Sequence, residues 1–202
     1  MKRFYFDIET LPAGQDRQPM LKEFHQSKAK KSSKYKKTLK DLINSTNFDG
    51  AFGRIFCIAY AINEEPTKAL VGSEKQILKK FWEIVRDVDL FIGHNILDFD
   101  LRFIAQRSII LKIKPSRDIS FRRYTNNPVY DTMHEWTKWS YGNNCSMDYL
   151  AHAMDFPTSK DEMDGSQVHE FFQKGKFDEI VKYCKKDVDL NRKIYKRMAF
   201  LD

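Results

Sequence analysis

Short apolar runs alternate along this chain with stretches whose apolar positions recur every three or four residues, and that pattern divides it into strands and helices. Residues 1–8 read as a buried strand and 54–62 (RIFCIAYAI) as a second, with 68–71 a third candidate. Ser73 with Gln76 three residues on has the form of a capping box, and Ile77, Leu78, Phe81, Trp82 and Val85 keep the apolar face of the following helix in step. A short strand at 89–93 runs into a helix at 98–108, and 111–115 and 129–132 read as further strands. Helices follow at 146–154, 166–173 and 178–198. Strands first, helices interleaved and a helical last third predict a mixed α/β domain.

Residues 13–49 interrupt this order as an insertion between the first two strands, with a helix expected at 33–43. Composition sharpens that picture. The formal charge of the 202-residue chain is +7, and residues 22–40 alone hold eight lysines against Glu23, so the remainder is balanced. A concentrated basic stretch suits a polyanionic partner, because each phosphate it neutralises releases counterions. Lys30, Lys31, Lys36 and Lys37 are its candidate phosphate contacts. The size fits one domain spanning 1–202. No run of 18 apolar residues suggests a membrane span, and two acidic residues within MKRFYFDIET argue against a signal peptide. Cys57, Cys145 and Cys184 lack paired spacing, which favours a reduced, cytoplasmic setting over a disulfide framework.

The candidate chemistry lies in three acidic motifs. The first strand ends in Phe6-Asp7-Ile8-Glu9-Thr10. The middle holds Gly93-His94-Asn95-Ile96-Leu97-Asp98-Phe99-Asp100, and Tyr183-Cys184-Lys185-Lys186-Asp187 lies near the end. Asp7 and Glu9, two apart on a strand, project to one face. Tyr183 and Asp187, four apart on a helix, are also neighbours. Carboxylates converging from distant segments are hard ligands for Mg²⁺ or Mn²⁺, and two such ions can drive hydrolysis of a phosphodiester. Asp98 is a candidate helix cap, and Asp131-Thr132 a turn or cap. His94 reads as structural. Trp82, Trp136, Trp139, Phe171 and Phe172 read as core.

Together the motifs resemble the DEDD 3′–5′ exonucleases, most closely the proofreading exonuclease domain of family-B DNA polymerases. Asp7 and Glu9 match its first motif, Asn95 and Asp100 its second, and Tyr183 and Asp187 the third, in the form that marks the DEDDy branch. SMDYL at 146–150 and MDGSQV at 163–168 look like a stand-alone bacterial group of polymerase-B-like exonucleases. The resemblance implies a ribonuclease-H-like (DnaQ-like) fold, a central mixed sheet of about five strands flanked by helices. It implies two divalent metal ions, Mg²⁺ or Mn²⁺, held by Asp7, Glu9, Asp100 and Asp187, with Tyr183 as the fifth catalytic residue. Thr10, Leu11, Asn95, Phe99 and Lys160 become candidate substrate contacts. The implied activity is hydrolysis of single-stranded nucleic acid, DNA in the first place, from the 3′ end to nucleoside 5′-monophosphates. The sequence contains no polymerase segment, so recruitment by a replication or repair protein is one expectation. An RNA-trimming enzyme of the same chemistry is the alternative, and a catalytically silent nucleic-acid-binding module a second.

Overall fold

In a computed structural model, which describes residues 1–202 except 33, 141, 159–162 and 202, the strands form one five-stranded sheet. They are β1 (Arg3–Leu11), β2 (Arg54–Ile62), β3 (Lys68–Leu70), β4 (Leu90–Gly93) and β5 (Val129–Asp131), in the order β3-β2-β1-β4-β5. β1 pairs antiparallel with β2 and parallel with β4; β2–β3 is antiparallel and β4–β5 parallel. The sheet is therefore mixed, as expected. Its central strand is β1, whose near-continuous burial fits a strand covered on both faces.

The alternation along β1 assigns those faces. Phe4, Phe6 and Ile8 pack with Ile77, Leu78, Phe81 and Trp82 of α3 (Glu74–Ile84) and with Leu101, Phe103 and Ile104 of α4 (Asp100–Ile110). Tyr5 points the other way, against Cys184, Val188 and Tyr195 of α8 (Phe177–Met198). By the same period of two, Asp7 and Glu9 follow Tyr5 onto the α8 side. The ladder to β2 slips between Glu9 and Thr10, a bulge at the end of the motif. Gly93 lets the chain leave β4 tightly: a β-carbon there would lie 2.0 Å from Ile96 Cγ2.

Several expected elements lie elsewhere. The lysine-rich segment forms two helices, α1 (Gln18–Lys31) and α2 (Leu39–Asn44), rather than one at 33–43. Pro19 stands in the first turn of α1, and Thr38 with Asp41 makes the capping box that starts α2. Residues 111–115 are not a strand. Leu111 caps α4, Lys112 takes a left-handed backbone (φ 56°), and Leu111 and Ile113 still pack on the core as a loop. α5 (Thr132–Thr137), unexpected from the sequence, follows β5 directly, with Asp131 as its N-cap. α6 (Met147–Ala153) and α7 (Val168–Gln173) lie close to expectation, the latter behind a 3-10 turn at Gly165–Gln167. The Ser73–Gln76 capping box is present. Trp82 is core; Trp139, Phe171 and Phe172 are partly buried; Trp136 is exposed, against its expected burial. No described helix is long and apolar enough to cross a membrane.

Candidate active site

The carboxylates of the three motifs meet where β4 stops short of the end of β1. The β1–β4 register ends at Tyr5–Ile92. Beyond it the Ile8 amide donates to Asp100 Oδ1 at 3.1 Å, across 92 residues of sequence. Asp100, the first residue of α4, is buried there. On the α8 side of β1, one oxygen each of Asp7 and Glu9 and the sulfur of Cys184 lie within 4.8 Å of one another. Cys184 Sγ donates to Asp7 Oδ2 at 3.4 Å. Tyr183 and Asp187, both buried, face the same region from α8.

Bringing these acids together carries an electrostatic cost. Burial, then the charges of Asp100 and Asp187, push the Asp7 carboxyl well above the ordinary carboxylate range. Glu9 is raised likewise by burial and then by Asp7. Burial carries Asp100 to about 8, although hydrogen bonds from its own and the Ile8 backbone pull it down. The Tyr183 phenol is raised by burial, then by Asp187, Glu9 and Asp7, and so stays protonated. Oxygen ligands packed against like charge fit a hard divalent cation, whose charge offsets the repulsion that raises them. Asp7, Glu9, Asp100 and Asp187 are the residues that could hold such ions.

Thr10 Oγ1 donates to the Asn47 carbonyl at 2.7 Å, so its hydroxyl anchors the segment before β2. Leu11 is buried with Met163, Val168, Ile180 and Tyr183. Asn95 has a left-handed backbone (φ 62°), and its amide donates to Asp131 Oδ1 at 2.9 Å. Leu97, Met133 and His134 also donate their amides to Asp131, which fixes the second motif against β5. His94 bridges Thr132 Oγ1 (3.0 Å) and the Cys145 carbonyl (2.9 Å), in keeping with a structural role, and burial lowers its pKa. Asp98 does not cap α4, whose N-cap is Phe99. It pairs instead with Arg102 (3.2 Å), Arg123 (2.7 Å) and His134 (3.1 Å). Phe99 stands between Phe48 and Phe103. Lys30, Lys31, Lys36 and Lys37 are exposed, and Lys37 Nζ donates to Ser45 Oγ at 2.6 Å. Lys160 lies outside the described residues.

Three site neighbours escape sequence reasoning. Cys184 contacts Asp7, and Cys57 stands opposite Glu9 in the β1–β2 ladder. Spacing along the chain cannot reveal contacts made by packing α8 on β1 and by pairing β1 with β2. Phe48 arrives from the segment before β2, and only its apolar character in a polar stretch marks it out.

Residues 54–202 match a family described as predicted 3′–5′ exonucleases related to the exonuclease domain of PolB. The first motif lies ahead of the matched residues. Among solved structures, the family-B DNA polymerase of the hyperthermophilic archaeon Pyrobaculum calidifontis is similar, with a TM-score of 0.69 at 12% identity. The similarity covers 98% of this chain and 24% of the polymerase, so the chain spans about a quarter of that protein. This likeness, with the mixed five-stranded sheet, shows the ribonuclease-H-like fold. No curated protein matches the chain.

Proposed function

Because this chain belongs to the family of predicted 3′–5′ exonucleases related to the exonuclease domain of PolB, we infer that it removes nucleotides from the 3′ end of single-stranded nucleic acid, DNA in the first place. The observation that carries this reading is the meeting of Asp7 and Glu9 on β1 with Asp100 at the start of α4 and with Tyr183 and Asp187 on α8.

Asp7, Glu9, Asp100 and Asp187 would hold two divalent cations, Mg²⁺ or Mn²⁺. When bound, such ions lower the pKa of the attacking water and stabilise charge at the leaving oxygen. The residues of the chain supply the geometry. Asp100 is held by the Ile8 amide, so the second motif is registered against the first. The Cys184 thiol, hydrogen-bonded to Asp7 Oδ2, limits how that carboxylate can turn. Tyr183, kept protonated by burial and neighbouring acids, acts as a donor that orients the water or the scissile phosphate rather than as a base. Water adds to the phosphorus and the penultimate nucleotide leaves with its 3′-oxygen, which takes up a proton. The product is a nucleoside 5′-monophosphate. The exposed lysines of α1 and the α1–α2 connection would draw the polyanion toward the site.

Digestion of 5′-labelled single-stranded DNA, duplex DNA and RNA side by side, with Mg²⁺ or Mn²⁺, tests the reading. It expects the single strand of DNA to shorten fastest. Faster loss of RNA would assign the chain to RNA trimming, and binding without turnover would leave a nucleic-acid-binding module.

A further inference from the structure

The segment between β1 and β2 brings to the site a residue that none of the acidic motifs contains. Phe48 ends the 3-10 turn Ser45–Phe48 and is 71% exposed. Its ring centroid lies 6.3 Å from that of Phe99, which lies 5.7 Å from that of Phe103. Phe103 is 2% exposed. The three rings form a ladder from the core to solvent, and its middle member immediately precedes Asp100.

The turn that presents Phe48 is fixed from several sides. The Thr10 hydroxyl, one residue beyond Glu9, donates to Asn47 O at 2.7 Å. The Ala13 amide donates to Thr46 Oγ1 at 2.8 Å, and Arg107 Nη1 donates to Gly50 O at 3.2 Å. Phe24 of α1 meets Phe52 edge to face at 5.9 Å, tying the basic helix to the same turn. Unlike Phe103, Phe48 leaves most of its ring open to solvent, against the residue that immediately precedes Asp100.

We propose that Phe48 is a stacking platform for an unpaired base at the 3′ end of a single strand, with Phe99 behind it and the α1–α2 segment flanking it. The proposal rests on the exonuclease reading and deepens it by naming how the single strand is recognised. Every base has a π-face, so a ring platform accepts any sequence, but it needs a base released from a duplex. A ring carried on a turn that is already fixed costs less ordering when a base settles on it.

The test is equilibrium binding, with Ca²⁺ in place of Mg²⁺, of an oligonucleotide carrying 2-aminopurine at its 3′-terminal or penultimate position. The wild type quenches the probe at one of these positions. Phe48→Ala loses most of that quenching and binds roughly 5- to 100-fold more weakly, the range of one lost base–aromatic stack. Phe48→Leu, which retains an apolar side chain, is similarly weak, and Phe48→Trp restores both signals. An oligonucleotide abasic at its last two positions binds wild type and Phe48→Ala alike. In turnover with Mn²⁺, Phe48→Ala raises KM and leaves kcat nearly unchanged. Wild-type quenching and KM in Phe48→Ala, or an equal loss on the abasic oligonucleotide, would overturn the proposal while the exonuclease reading stands. A wild type that neither binds nor shortens single strands would overturn both.

Discussion

The Ile8 amide donates to the Asp100 carboxylate at 3.1 Å, and this one bond locks the first acidic motif to the second. Ile8 lies between Asp7 and Glu9, so its amide fixes where Asp100 sits relative to both. Asp100→Asn keeps an acceptor for that amide but removes the charge. The variant is expected to fold with a melting temperature at or above the wild type and to lose at least about 100-fold in turnover, the scale of removing one charge-stabilising group from a transition state. Thermal melting and single-turnover hydrolysis check the two halves. Unchanged turnover would remove Asp100 from the site.

Tyr183 is expected to position rather than to ionise. Tyr183→Phe should slow turnover by roughly 10- to 1000-fold, the range for one positioned hydrogen bond, and leave Mn²⁺ affinity intact. Calorimetric titration of Mn²⁺ into both proteins checks the second part. A large fall in affinity would make the tyrosine part of the metal site instead.

The crowding of acids makes metal-free stability depend on pH in a defined direction. The Asp100 carboxyl is raised from 3.8 to about 8 in the fold, so the folded state binds the proton more tightly than the unfolded chain. That contribution is fully present below the unfolded value and is lost as pH rises through the folded one. In EDTA, the melting temperature should therefore fall between pH 4 and 8 by more than in Asp100→Asn. Saturating Mn²⁺ should reverse the fall at pH 8, because a ligand bound only by the folded state stabilises it. A wild-type profile parallel to that of Asp100→Asn would contradict the burial of an ionisable carboxylate here.

Residues 22–40, with eight lysines against Glu23, carry a net charge equal to that of the whole chain. Replacing Lys30, Lys31, Lys36 and Lys37 with Gln should weaken single-strand binding and flatten its salt dependence. At about −0.7 per neutralised phosphate, losing three or four contacts shifts the slope of log K against log salt by roughly 2–3. Turnover at saturating substrate should hardly change. An unaltered slope in fluorescence anisotropy titrations would make these lysines solvated surface.

The candidate site was legible because it is made of residues with few other uses in those positions. Acids two apart on an apolar strand, and a Tyr–Asp pair four apart on an amphipathic helix, state their own faces through their periods. The strands followed from the same patterning, and the mixed sheet from the family resemblance. The α1–α2 segment was harder, since lysine-rich sequence favours helix throughout and only Pro19 and the Thr38–Asp41 box mark where helices begin. Residues 111–115 misled because a short apolar run fits a strand or a packed loop equally well. Asp98 suggested a cap, but its charge is drawn to Arg102, Arg123 and His134, contacts no local pattern encodes. The Cys184–Asp7 contact and the Phe48–Phe99–Phe103 ladder exist only once α8, β1 and α4 are packed.

Asp7, Glu9, Asp100 and Asp187 are expected to act together in metal-dependent removal of 3′ nucleotides. The most direct test of that joint role follows 5′-labelled single-stranded DNA on a sequencing gel, with wild type and Asp7→Ala purified in parallel and with Mn²⁺ or EDTA. Wild type with Mn²⁺ alone should give a ladder that descends one nucleotide at a time, with nucleoside 5′-monophosphate as product. Near wild-type shortening by Asp7→Ala, or by wild type in EDTA, would contradict that role.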